Sequence, residues 1–247
     1  MATEDLQNKV ALISGGSSGI GLAIAKALDA RGVQVVLQDI SSNALDSVLN
    51  GFQNTPEISL GDISDAKVSE AAISRTLERF GKLDIVVANA GIYLTKDGWS
   101  VPPKQIDQIV GVNVLGVMHL VHAAINHFLK TGGGDIVVTS SVAGLVDVAH
   151  EAVYSATKNA VTSFVNSTRS QVSGKNIRVG SLEPGYVQTP LWLTNPATTG
   201  AGIPDLVAND RALKPEDVAS SAIFMLSQPR HVNIRDVVLL PTDQKFS

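Results

Sequence analysis

Short apolar runs rich in β-branched residues recur along the chain: VALIS (10–14), VQVVLQ (33–38), LDIVVAN (83–89), DIVVTS (135–140), IRVGSL (177–182) and VVLL (237–240). Each is apolar nearly throughout, the signature of a strand buried on both faces of a parallel sheet; a half-exposed antiparallel strand would alternate. Between the runs lie segments of a different period. AIAKALDARG, VSEAAISRTLERFG and PEDVASSAIFMLS place apolar residues at i, i+3, i+4 spacing, and the first two run into a glycine suited to ending a helix. Strands alternating with helices predict an α/β protein: a single-domain, Rossmann-type, doubly wound parallel sheet of about seven strands with helices on both faces.

No Pro/Gly/Ser-rich linker interrupts the alternation, so one domain is expected over residues 1–247. The long stretch without periodicity is LWLTNPATTGAGIPDLVAND (191–210), and a loop of that length in a compact domain is more often a functional lid than a passive connector. A substrate lid is therefore expected near 190–213. Composition changes little in this picture and narrows the partners. With 44% hydrophobic and 17% charged residues the chain has the balance of a globular protein. A net charge of −4 without any polybasic run argues against nucleic acid, which calls for a basic patch. Zero cysteines leave no disulfide or thiolate metal site. The polar start MATEDLQNK does not read as a secretory signal, and no apolar stretch approaches the ~20 residues that span a bilayer. A cytoplasmic protein with no membrane partner is the expectation.

The chemistry begins after the first strand, with SGGSSGIG (14–21) leading directly into a helical pattern. Gly15, Gly19 and Gly21 stand where a chain turns tightly, admits a pyrophosphate to its backbone and packs a helix on the sheet, with Ser17, Ser18 and Ile20 between them. The spacing is G-x-x-x-G-x-G, and a glycine-rich turn alone can be only a turn. Its context adds weight: the second strand ends at Asp39, eighteen residues after Gly21, near the ~20 expected for the acid that holds an adenosine ribose. A carboxylate there accepts bonds from both ribose hydroxyls and repels a 2′-phosphate. Ile40 follows it and no Arg or Lys stands beside it, which points to NAD as the cofactor; the alternative is an acid capping the next helix. Asp62, followed by Ile63, is a second acid placed to approach the adenine, with a helix N-cap as its alternative. Small residues in Asn89, Ala90 and Gly91 let the backbone pass close to a ligand at the end of the fourth strand.

The reactive group is read from VYSATK (153–158). In a helix Tyr154 and Lys158, four apart, share a face, and a cation there favours the phenolate of a group whose free pKa is ~10. Ser141, thirteen residues earlier at the end of the fifth strand, can bond a substrate oxygen as charge develops on it. The reading is of a proton carrier for hydride transfer, with Lys158 bringing the phenol toward the working range.

These residues resemble the short-chain dehydrogenase/reductase family in its NAD(P)-dependent form, over essentially the whole chain. The family's TGxxxGxG stands here as SGGSSGIG, NNAG as ANAG, the strand-end serine as Ser141, YxxxK as YSATK and the PG motif as PGYVQTP. The resemblance implies a dehydrogenase with catalytic Asn113, Ser141, Tyr154 and Lys158. Asn113 would complete a water-borne proton relay to the lysine, or else be a buried polar residue satisfied within its helix. It further implies that Lys158 binds the nicotinamide ribose, that Val187 and Thr189 meet the carboxamide and phosphate, and that Pro184 and Gly185 belong to the cofactor site. A homotetramer is implied too, pairing helices around 105–130 and 152–173.

HEAVYSATKNAVTSFVNSTR, IRVGSLEPGYVQT and HVNIRDVVLLPT look most like ribitol dehydrogenases, polyol-oxidising members of the family, while the final strand is also similar to that of 3-hydroxy-acid dehydrogenases. The expected substrate is a small secondary alcohol or its ketone, a polyol such as ribitol. The alternatives are a hydroxy acid, a broad range of ketones, or dinucleotide sensing without turnover. Tyr186 and Trp192 either line the substrate pocket or pack the lid. His150 and Glu151 could meet substrate hydroxyls, though exposed loop charges are the default. His119, His122 and His127 share one helix without a carboxylate at ligand spacing, so packing or subunit contact is expected rather than metal.

Overall fold

The structure is a computed structural model, and it describes residues 4–94, 98–193 and 205–245, without the side chains of residues 192 and 193. Seven parallel strands form one sheet in the order β3-β2-β1-β4-β5-β6-β7. They are β1 (Val10–Ser14), β2 (Gln34–Asp39), β3 (Glu57–Leu60), β4 (Ile85–Ala88), β5 (Gly134–Thr139), β6 (Ile177–Pro184) and β7 (Asp236–Leu239). All five residues of β1, all four of β4 and all six of β5 are buried, which is why these runs lack polar alternation. β3 is the strand whose residues carry the weakest apolar signal, since EISL is buried only at Ser59.

Alternate side chains of each strand feed two cores. Ala11, Ile13, Val35 and Leu37 pack against α1 (Gly19–Asp29), α2 (Ser42–Val48) and the C-terminal helix Pro215–Leu226. Leu12, Val36, Val86 and Val138 face α3 (Ala66–Phe80), α5 (Val117–Thr131) and α6 (Ala152–Gln171) on the other side. α3 ends where the sequence predicts, at Gly81, whose φ of 74° closes the helix with a bond to Leu77 O.

α4 (Pro103–Val110), a π-helical turn (Gly111–Gly116) and α5 form one continuous run of 29 residues. The run is long and apolar enough to cross a bilayer, which corrects the expectation that no stretch has that length. Its apolar residues have another use: Val117, Leu120, Val121, Ala124 and Phe128 are core residues packed beneath β4 and β5. The wider π turn brings Gly116 against Ile63, where a Cβ would lie 2.7 Å from its Cγ2, and sets Asn113 inward.

The chain winds outward in opposite directions from β1 and β4, so a crevice opens between their carboxyl ends. Ser14, Asp39, Ala88, Thr139 and Pro184 all end strands at this edge, and the residues that follow them build the site.

Candidate active site

A cleft of about 720 Å³ occupies that edge. One end is the glycine turn. Gly15 (φ 64°) and Gly19 (φ 51°) hold left-handed conformations, and a Cβ on Gly21 would fall 2.2 Å from Gly15 O, so the turn is folded as tightly as glycine permits. Asn89 fastens it: its Nδ2 donates to Ser14 O (3.2 Å) and Gly15 O (3.3 Å), while the Asn89 and Ala90 amides donate to Ser14 Oγ. The N-terminus of α1 opens into the cleft with no side-chain cap from Ser18 and no acid in its first turn. Unpartnered amides and the positive end of a helix suit a pyrophosphate.

Asp39 sits at the rim with its carboxylate already organised. Oδ2 accepts from Ser17 N (3.2 Å) and Ser17 Oγ (2.6 Å), and Oδ1 from Ile40 N (2.8 Å) and Ser41 N (3.3 Å). It is not the cap of the following helix, because Ser41 takes that role by accepting from Ala44 N. Asp62 is not an N-cap either. Asp65 caps α3, and Asp62 holds Ser64 through its amide and hydroxyl, leaving its carboxylate lining the cleft beside Ile63. These two findings remove the alternatives left open by the sequence.

At the other end the turn after β5 locks onto α6. Ser140 Oγ donates to Lys158 O (3.3 Å), Asn159 Nδ2 donates to Ala143 O (3.1 Å), and a Cβ on Gly144 would fall 2.8 Å from Lys158 O. Ser141 and Tyr154, thirteen positions apart in sequence, are thereby brought together on one wall of the cleft. Lys158 is buried, donates to Thr139 O (3.1 Å), and places its Nζ 5.7 Å from the centroid of the Tyr154 ring. Asn113, also buried, pairs both amide atoms with the backbone of Ile92 (2.8 and 2.9 Å) and donates to Thr157 Oγ1 on α6. Its side chain is thus a brace between the β4 loop and the tyrosine helix, satisfied outside its own helix.

The electrostatics differ from the sequence reading. Burial pushes the Tyr154 phenol up, the Ser141 hydrogen bond pulls it down, and the Glu151 carboxylate adds to the rise. Lys158 is not among the groups that shift the phenol in this arrangement, and the loss of hydration outweighs the pull of Ser141. Burial also lowers Lys158 itself to about 8.

Pro184, Gly185, Val187 and Thr189 all line the cleft, and Thr189 lies against Gly19 across it. Tyr186 lines it too, with its phenol pushed up by burial and by Glu151. The side chain of Trp192 and most of the expected lid, 194–204, lie outside the described residues. Two contributors were missed or set aside in the sequence. Gln244, far along the chain, accepts from Tyr186 N (2.8 Å) and faces Gly185, where a Cβ would be 2.1 Å from its Oε1. Nothing local to residue 244 signals this. Glu151 is half-buried in the cleft wall and accepts a short bond from Tyr93 Oη, contrary to its default as an exposed loop charge.

A glycine cradle, an uncapped helix end, an acid after β2 and a Ser-Tyr-Lys cluster define a Rossmann-type oxidoreductase that binds a nicotinamide dinucleotide. The chain belongs to the short-chain dehydrogenase family, whose model, "short chain dehydrogenase", matches residues 9–199. An uncharacterized oxidoreductase of Staphylococcus saprophyticus is 32% identical over 241 residues, covering 96% of this chain and 99% of the relative. Among solved structures, a levodione reductase superposes with a TM-score of 0.87 at 27% identity, covering 95% of this chain and 97% of that one. A 3-ketoacyl-(acyl-carrier-protein) reductase from Brucella melitensis, complexed with NADH, gives 0.86 at 32% identity, with 96% and 98% covered. An alcohol dehydrogenase from Thermococcus sibiricus, complexed with 5-hydroxy-NADP, gives 0.83 at 29%, with 97% and 99% covered. The narrower resemblance to ribitol dehydrogenases has no counterpart in these names.

Proposed function

We propose that the protein is an NAD-dependent dehydrogenase that interconverts small secondary alcohols, polyols such as ribitol among them, with their ketones. The observation that carries this reading is the cluster of Ser141, Tyr154 and Lys158 on the wall of one cleft whose far end is the glycine turn. The dinucleotide supplies the hydride acceptor: the alcohol loses its carbinol hydrogen as hydride and its hydroxyl proton to a base, giving ketone, NADH and a proton. Tyr154 exchanges that proton, accepting it when ionised and donating it to the ketone oxygen in the reverse direction. Ser141 holds the substrate oxygen in line with the phenol and strengthens its bond as charge develops there. Lys158, with its pKa near 8, carries positive charge at neutral pH and stands beside Gly91, in position to bond a ribose hydroxyl. Asn113 fixes the spacing between the β4 loop and α6.

A second reading has a specific observation behind it. A phenol held protonated by burial is ready to donate to a carbonyl oxygen, which favours ketone reduction as the working direction, and two of the similar structures are reductases. Both readings require the same residues. Tyr154→Phe should reduce turnover by at least ~10²-fold, the lower range for a positioned acid/base, while NADH binding measured by fluorescence persists. Unchanged turnover would remove Tyr154 from the chemistry.

NAD is favoured over NADP by the Asp39 carboxylate and by the exposed Ile40 beside it, which offers a 2′-phosphate no cation. Asp39→Ala should raise KM for NAD and narrow its advantage over NADP. An unaltered NAD to NADP ratio would show that the selection lies elsewhere. For the homotetramer, Val110, Leu115 and Leu129 stay exposed along the α4–α5 run, and light scattering of the purified protein tests whether subunits cover them.

A further inference from the structure

The substrate end of the cleft has apolar walls from Ala143, Val148, Tyr186 and Leu191, with the Tyr154 phenol at its base. Glu151 interrupts that wall. It lies three residues before Tyr154, just ahead of α6, and its Oε1 accepts from Tyr93 Oη. The Tyr93 ring packs edge-on against Tyr154, with centroids 4.8 Å apart, so the brace of the carboxylate is tied to the reactive phenol itself. No hydrogen bond reaches Glu151 Oε2 among the described residues, which leaves a spare acceptor on a residue that lines the cleft. Its field is felt at both Tyr154 and Tyr186, which flank the space where a substrate's distal atoms must lie. Among the described residues lining the cleft Lys158 is the one lysine or arginine, and it is buried on the Thr139 carbonyl.

Resting on the dehydrogenase reading above, we propose that Glu151, braced by Tyr93, is the specificity-determining residue of the cleft. It selects substrates whose group distal to the reacting carbon donates a hydrogen bond, a hydroxyl or an ammonium, and rejects those with a distal carboxylate. A desolvated acceptor in an apolar wall discriminates strongly for a donor, because a substrate without one leaves it unpaired. A carboxylate in the same place adds like-charge repulsion with Glu151. The same argument separates polyols from hydroxy acids, the two substrate classes the sequence leaves open.

Three alcohols share one reacting end and differ at the other: butane-1,3-diol, 4-aminobutan-2-ol and 3-hydroxybutyrate. The experiment measures kcat/KM for each with NAD, for the wild type and for Glu151→Gln, which preserves the acceptor toward Tyr93 and removes the charge. The wild type should favour the ammonium and hydroxyl arms over the carboxylate by at least about tenfold, a floor for one charge interaction near a protein surface. Glu151→Gln should shrink the ammonium-to-carboxylate ratio by about tenfold. The hydroxyl arm separates the two donor classes, since its preference survives in the variant if hydrogen bonding dominates and falls with the ammonium arm if charge does. A wild type that prefers 3-hydroxybutyrate or oxidises none of the three, or a ratio that moves less than about twofold in the variant, overturns the proposal. An unmoved ratio in an enzyme that still requires Tyr154 leaves the dehydrogenase reading standing, whereas turnover that survives Tyr154→Phe removes that reading.

Discussion

Replacing Gly21 with alanine perturbs the dinucleotide end of the cleft through a single methyl group. That methyl would stand 2.2 Å from Gly15 O and 2.5 Å from Asn89 Nδ2, against a practical minimum of 3.0 Å, a shortfall of about 0.8 Å. Neither neighbour is a flexible chain end. Gly15 O is backbone in a left-handed turn, and Asn89 Nδ2 is bonded to two carbonyls, one of them that same Gly15 O. Relief must therefore come from shifting the turn against the start of α1, and overpacking of this kind costs ~1–3 kcal/mol. If the strain is relieved when the turn opens, the loss appears in cofactor affinity, as a rise in NADH Kd of about 5- to 150-fold. NADH fluorescence titration reads it, with a thermal melt alongside. Gly134→Ala is the control: its methyl would stand 2.4 Å from the Phe128 ring at the opposite end of the sheet, so it should lower Tm without altering NADH Kd. A Gly21→Ala protein with normal NADH affinity, or one whose affinity falls no more than the control's, would refute the idea that this turn is the phosphate cradle.

Gln244→Ala should raise KM for the dinucleotide severalfold with a smaller effect on kcat, because it removes the acceptor that fixes Tyr186 N in the loop after β6; equal KM values would make the contact incidental. Glu183 is fully buried, its Oε2 is unpartnered, and burial raises its pKa to about 7. A carboxyl raised in the folded state binds more protons than the unfolded chain between its ordinary value of 4.5 and about 7, so its contribution to stability declines as pH climbs through that window. Glu183→Gln should accordingly gain Tm over the wild type at pH 8, by an amount corresponding to about 1–3 kcal/mol, and gain little at pH 4.5. Melting curves that stay parallel across this range would contradict the assignment.

The local sequence determined the elements and most of the cofactor end. A run such as VALIS is buried on both faces whatever its neighbours do, and Gly81 closes α3 by its own conformational freedom. The glycine turn is equally local, since the positive φ of Gly15 and Gly19 and the helix that follows are encoded within eight residues. Ser141, Tyr154 and Lys158 were legible because a strand end and one helical turn place them, and their meeting needed only the β5 turn to dock on α6.

Tertiary structure decided the rest. Whether Lys158 or burial governs the Tyr154 phenol depends on how much water the surrounding elements exclude, a property of the packed interior that no spacing carries. Asp62 and Asp65 are chemically identical in sequence, and only the start of α3 at Ala66 determines which of them caps. Glu151 became part of the cleft because Tyr93, 58 positions away, reaches it. Gln244 became part of the cleft beside the loop after β6 because β7 returns the chain next to β6. Periodicity and motif spacing report what a segment does within a few turns of itself. Desolvation and long-range contacts belong to surfaces that exist only after the chain has folded.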